Sequence, residues 1–411
     1  MNKIKLGLLA IGFVAVGTTV PTRGQQSAAT AFTEIASPAG AGSAEPNMTT
    51  GPDGRVYFSW IEPSGKTSFL KFSTLGTNNQ WSAPQTIAQG DNWFVNWADF
   101  PSMIALPDGS LAAHWLARSG SGTYAYNVNI SFSRDAGKTW SKPVVPHQDG
   151  TQSEHGFVSL LPAPTGGLAA IWLDGRKMAA AGHDDHAEPA GDMTLMYTTI
   201  SVDGKLGKEM PIDGRVCECC QTSAVRTPDG IAVVYRDRSD KEVRDIAISR
   251  LSKGVWSAPE NLSKDGWQIN GCPVNGPAIS ANGSNVAAAW FNAPNESPLA
   301  KVALSKDSAR TFGPAVRIDD GNPVGRVDVL ALPNGGALVS WLEKTEKGAQ
   351  VRLRRINPDG SRQASIVVSD TSTARSSGFP RMEISGNRVV IAWTDTANGG
   401  KVKTAVMKLP G

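Results

Sequence analysis

The chain has 411 residues, of which 40% are hydrophobic and 19% charged, with 40 basic and 37 acidic side chains. That near-balance, with no basic stripe, speaks against a nucleic-acid partner. Beyond the first twenty residues no stretch is long or apolar enough to span a bilayer.

The chain opens with a short basic region, "MNKIK", then an apolar run from Leu6 to Gly17 and a polar "TTVPTRGQQ". This pattern predicts a secretory signal peptide over residues 1–26 and a mature chain over 27–411 that is periplasmic or secreted. No cysteine precedes Cys217, so a lipid-anchored N-terminal cysteine and a membrane anchor are not expected.

About 385 mature residues would suggest two or three domains, but a repeat overrides that prior. Seven segments share a Gly- or Asn-containing turn, an alternating apolar run and a closing aromatic: Trp60, Trp115, Trp172, Tyr235, Trp290, Trp341 and Trp393. Intervals of 51 to 63 residues suit one four-stranded blade of a β-propeller. Second markers, "WSAPQTI", "WSKPVV", "WSAPENL" and "FGPAVRI", predict the outermost strands. Only 18 residues follow Trp393, so the seventh unit lacks its fourth strand. The N-terminal "AFTEIASPAG" resembles an outer strand and is expected to close the ring. The prediction is an all-β, seven-bladed propeller, with six blades if one unit is misread.

"SRDAGKTW", Ser133 to Trp140, matches the Asp-box of the sialidase superfamily, and "SKDSARTF", Ser305 to Phe312, looks like a decayed copy. The resemblance implies a folding role for Asp135 and Trp140. Sialidases of that superfamily carry an early Arg-Ile-Pro, an arginine triad and a late tyrosine nucleophile supported by a glutamate. This chain has no Arg-Ile-Pro, and its tyrosines, Tyr57, Tyr124, Tyr126, Tyr197 and Tyr235, all precede the last three units. The resemblance is therefore to exported bacterial sialidase-like proteins, whose activity the fold alone does not supply.

In a meander the blade-to-blade loops and the loops after each second strand share one end of the ring, while the Asp-boxes mark the other. "TQSEHG", "RVCECC" and "NGCPVNGP" precede units three, four and five. They place Glu154, His155, Cys217, Cys219, Cys220 and Cys272 on one face. The insertion after Trp172 adds His183, Asp184, Asp185, His186 and Glu188. Four cysteines in an exported chain suggest disulfides; Cys217 and Cys219 in a strand stand about 6.6 Å apart between Cα atoms, near the limit for a bridge. The alternative is a metal site, since thiolates with His155, His183 and His186 suit zinc or Cu(I).

Arginine–acid groups on the same face either lock blades together or read an acidic or polyhydroxylated ligand. Asp174, Arg176, Arg236, Asp237 and Arg238 are the catalytic candidates; Arg215, Arg326, Asp328 and Glu154 are the ligand-binding ones. The expected ligand is a glycan or another acidic small molecule. The rival readings are a glycoside hydrolase using Asp or Glu in place of the tyrosine, and a metal-binding or protein-docking propeller.

Overall fold

A computed structural model describes Met1 and residues 32–178 and 191–409. The predicted signal peptide and the insertion carrying His183, Asp184, Asp185, His186 and Glu188 lie outside the described residues.

The described chain forms seven antiparallel sheets arranged as the blades of a propeller. Blade three shows the pattern: His155–Pro162 is innermost, followed outward by Leu168–Asp174, Met193–Ile200 and Met210–Val216. Blade two is trimmed, its fourth strand reduced to the single bridge Ile130–Val144. Blade seven takes its outer strand from the N-terminus: Thr33–Ile35 pairs with Lys401–Lys408, Glu34 facing Ala405. Joining the two ends of the chain covers an edge that would otherwise stay unpaired.

The repeat is explained by the packing between blades. Each closing aromatic belongs to the apolar cluster shared with the preceding blade: Trp60 with blade seven, Trp172 with blade two, Trp341 with blade five. All seven are at most 7% exposed. Because a buried indole N–H needs an acceptor, several carry an acid. Trp60 donates to Glu62 at 3.0 Å, Trp172 to Asp174 at 2.8 Å and Trp341 to Glu343 at 2.6 Å, each acid two residues downstream.

Both Asp-box turns adopt one geometry. Asp135 accepts from Thr139 N–H at 2.9 Å and Thr139 Oγ1 at 2.6 Å, and Asp307 does the same with Thr311 at 2.9 and 2.6 Å. Gly137, at φ +87°, is pressed on Phe72, where a Cβ would stand 2.3 Å from the ring. Ala309 stands at the matching position of the second copy, at φ +64°.

Candidate functional site

The innermost strands of all seven blades line an axial cavity of about 490 Å³. Asp99 lines this cavity, and carboxyl groups from blades one and three, Glu45 and Glu154, gather around it. Asp99 precedes the inner strand of blade two, Glu154 that of blade three, and Glu45 begins that of blade one. The Tyr126 hydroxyl lies 2.9 Å from Asp99 Oδ2 and 2.8 Å from Glu154 Oε1. Asp99 Oδ1 also accepts from the Phe157 N–H at 2.6 Å. Gly156 makes that approach possible, because a Cβ there would stand 1.9 Å from Asp99 Oδ2.

A phenol has one proton for two carboxyl neighbours, so one acid must keep its own. Burial pushes Asp99 up to about 7 against the Phe157 and Tyr126 hydrogen bonds. Burial and the nearby Asp99 push Glu154 up to about 8. Glu45 is raised by burial and then by Asp99. At neutral pH the consistent arrangement has Glu154 donating to the phenol oxygen and Tyr126 donating to Asp99. Besides the phenol's own proton, the triad holds one carboxyl proton close to the cavity.

Beside it stands an aromatic and arginine shelf. Trp97 stacks on Phe379 at 5.8 Å, the Arg326 guanidinium lies 4.9 Å over Trp97, and that of Arg381 lies 4.6 Å over Phe100. Arg381 reaches Asp328 only at 3.5 Å, and its Nε is buried without a hydrogen-bond partner among the described residues. Asp328, Arg381 and Glu383 line the cavity with Asp99. Burial raises Asp328 despite Arg381, and raises Glu383 to about 7.

The four cysteines form a second centre close by. All four are free, so the structure contains none of the expected disulfides: Cys217 Sγ is 3.9 Å from Cys219 Sγ and 3.6 Å from Cys220 Sγ. A bond requires about 2.05 Å. Cys272 meets Cys219 from the next loop. Burial raises the Cys217 thiol to about 11. Burial also opposes charge on Cys220, but the neighbouring thiols, Arg236 and the Asn275 N–H outweigh it and hold Cys220 low. Glu218 pairs with Arg238 and, at 2.8 Å, with the Arg244 nitrogen that also donates to Cys217 Sγ.

His155 does not join the cysteines. Successive side chains of a strand point to opposite faces, so Glu154 meets Tyr126 while His155 is buried next to the flank of blade three. Its Nδ1 faces the Ser153 carbonyl at 3.1 Å and its Nε2 faces Asp149 at 3.1 Å, so both ring nitrogens are occupied. His147 stacks on it at 3.6 Å, and Arg176 stands 3.6 Å from the same Asp149 oxygen, a cation where a metal would need to be.

The predicted catalytic set is scattered. Asp174 is 0% exposed and binds Trp172 and Arg176, the same post that Glu62 and Glu343 hold in other blades. Arg236 spends every guanidinium N–H on Asn275, Phe291, Arg244 and Asn292, locking blade four to blade five. Arg238 is taken by Glu218 and Glu242, and Arg215 by Asp192 and Asp240. Asp237 is half-buried and raised by burial to about 6. Arg326 donates to Ser377 at 2.7 Å and to Gly378 O at 3.1 Å, and burial lowers it to about 10.

The reading of the sequence missed Asp99, Glu45, Tyr126, Trp97 and Arg381. A signal was present: Glu45, Asp99 and Glu154 stand 15 to 18 residues before their units' closing aromatics.

The fold and its Asp-boxes define a sialidase-like β-propeller. The BNR repeat-like domain matches residues 69–384, and the chain belongs to that family. No curated protein matches it by sequence. Among solved structures, a protein of unknown function from Dyadobacter fermentans is similar, with TM-score 0.50 and 14% identity over 93% of this chain and 98% of that one. The polysaccharide lyase Uly1 is similar with TM-score 0.54 and 10% identity, over 96% and 94%. The NanB sialidase from Streptococcus pneumoniae gives 0.46 and 10%, over 86% and 83%. At these identities the likeness is one of fold.

Proposed function

We propose that this protein is an extracytoplasmic propeller that binds an anionic glycan at the axial mouth of the cysteine-bearing face. The observation that carries the reading is Arg381: a guanidinium on an aromatic ring, lining the cavity, with a buried N–H that no group among the described residues accepts. A sugar carboxylate satisfies that donor, and the partly buried rings of Trp97 and Phe100 beside it offer apolar surface to a pyranose ring. Export rests on the signal-peptide pattern of residues 1–26.

Titration calorimetry against sialosides and uronic-acid oligosaccharides tests it. Arg381→Ala should weaken binding of the acidic sugar at least tenfold and leave any neutral analogue unaffected. Equal affinity in both proteins, or no binding of any acidic sugar, refutes it.

A second reading, cleavage of the bound glycan, is favoured by the Asp99–Tyr126–Glu154 triad. Two carboxyls sharing one proton through a phenol supply an acid and a base near neutral pH. Assays on the same glycans decide it. Glu154→Gln and Asp99→Asn should each abolish turnover while binding persists; residual turnover in both variants removes the triad from the chemistry.

A further inference from the structure

We propose that Cys217, Cys219, Cys220 and Cys272 bind one zinc ion in a four-thiolate site that cross-links the loops flanking blade four. Zinc holds thiolates at about 2.3 Å in a tetrahedron, which sets neighbouring sulfurs about 3.8 Å apart. The Sγ separations of 3.6 and 3.9 Å lie on either side of that edge. The sulfurs of Cys217, Cys219 and Cys220 all lie within 4.8 Å of one another. Cys272, on the next loop, interacts with Cys219 but lies outside the group whose sulfurs stand within 4.8 Å of one another, so it supplies the fourth sulfur by closing onto the trio when the ion binds.

The surroundings are built for a negatively charged cluster. Zinc with four thiolates carries a net charge of −2. Arg244 Nη1 donates to Cys217 Sγ at 3.3 Å, and the Arg236 guanidinium lies beside Cys220. Both guanidiniums are buried, Arg236 at 1% and Arg244 at 3% exposure. The Arg244 N–H orients its thiolate, whereas Arg236, whose own N–H groups are spent on carbonyls and Asn292, contributes only its positive charge beside Cys220. Arg244 is shared with Glu218 and Glu242, at 2.8 and 2.9 Å, which fix it in place.

The loop is already held in the ligating form. Cys217 N–H donates to the Arg236 carbonyl at 3.0 Å, and Glu218 is held by Arg238 and Arg244. Two disulfides would need every pair to close from these separations to about 2.05 Å, and the tightly spaced trio would have to pull apart to do it. Loading zinc displaces the protons still on the thiols and leaves the sulfur oxidation state unchanged, so no oxidant is required. Cys272 is exposed, which gives the ion an entry path. Asn275, three residues on, accepts from the Arg326 N–H at 2.8 Å, so the cross-link would reach the arginine shelf.

The test uses the full protein purified from the periplasm without added metal or chelator. Elemental analysis should give one zinc per chain. Replacing it with cobalt should give the intense visible bands and near-ultraviolet sulfur charge-transfer band of a tetrahedral thiolate site. Cys272→Ser, at an exposed position, should reduce zinc to background and remove the charge-transfer band while circular dichroism is retained. Cys272→His should restore the metal. Should either variant fail to fold, thiol titration of the native protein before and after chelation still decides: four thiols protected before and four released after support the site. An intact mass lower by four hydrogens with no metal, four freely reactive thiols with no zinc uptake, or bound copper instead of zinc overturns it.

Discussion

Gly156 and Tyr126 carry the most weight at the scale of single residues. A methyl at position 156 would stand 1.9 Å from Asp99 Oδ2, so Gly156→Ala must push the carboxylate off the phenol. Overpacking of this kind costs about 1–3 kcal/mol, to be read from urea denaturation, and any turnover should disappear with it. The acids of the triad also set a pH dependence. Their folded-state values, about 7 for Asp99 and about 8 for Glu154, lie above unfolded values near 4. The folded protein therefore keeps protons that the unfolded chain has released, and stability falls as pH rises through that window. The contribution is complete below about pH 4 and lost by about pH 8. Glu154→Gln should flatten the upper part of this decline. A wild-type urea midpoint that rises relative to the variant between pH 5 and 8 would contradict the assignment.

At the scale of the element, the second strand of a blade ends in a device the sequence shows only in part. The closing tryptophan needs an acceptor, and the acid two residues on supplies it in blades one, three and six. The "WLD" of blade three reads as a catalytic carboxylate beside an arginine, yet "WIE" and "WLE" repeat it in blades one and six, where Glu62 and Glu343 likewise accept from a buried indole. Glu343→Ala should cost about 1–3 kcal/mol by stranding a buried indole N–H. Asp174→Ala should cost more, since it also removes the two-pronged partner of Arg176 and leaves it hydrogen-bonded only to Glu209, at 2.7 Å, among the described residues, and should leave ligand affinity unchanged. If Asp174→Ala instead removed ligand binding at unaltered melting temperature, Asp174 would belong to the site.

The whole molecule is a closed ring whose last blade depends on residues from both ends of the chain. Deleting residues 32–36 removes the partner of Lys401–Lys408 and exposes an unpaired edge over the apolar cluster of blades six and seven. We expect the melting temperature to fall by about 5 °C or more, with self-association on size-exclusion chromatography. A monomer with wild-type melting temperature would show that this strand is dispensable. The same closure aims seven blade-to-blade loops at one axis, which is how Gln221, from the loop before blade four, reaches the Ala98 carbonyl of the loop before blade two at 2.5 Å.

By itself the sequence determined the ring. Seven aromatic-terminated units, two Asp-boxes and a spare N-terminal strand are local or periodic signals, and local turn chemistry with apolar periodicity is what a linear chain displays. It also determined which loops share a face, because a meander alternates ends. Only the tertiary structure decided which polar groups on that face are spent and which are free. Arg236 and Arg238 look alike in "YRDRSD", yet one is consumed by backbone carbonyls of the next blade and the other by Glu218 and Glu242. Tyr126 became part of a proton-sharing triad because blades two and three meet there, across 27 and 28 residues of chain. Hydrogen-bond saturation and burial are properties of the packed neighbours, and those neighbours are chosen by closure of the ring.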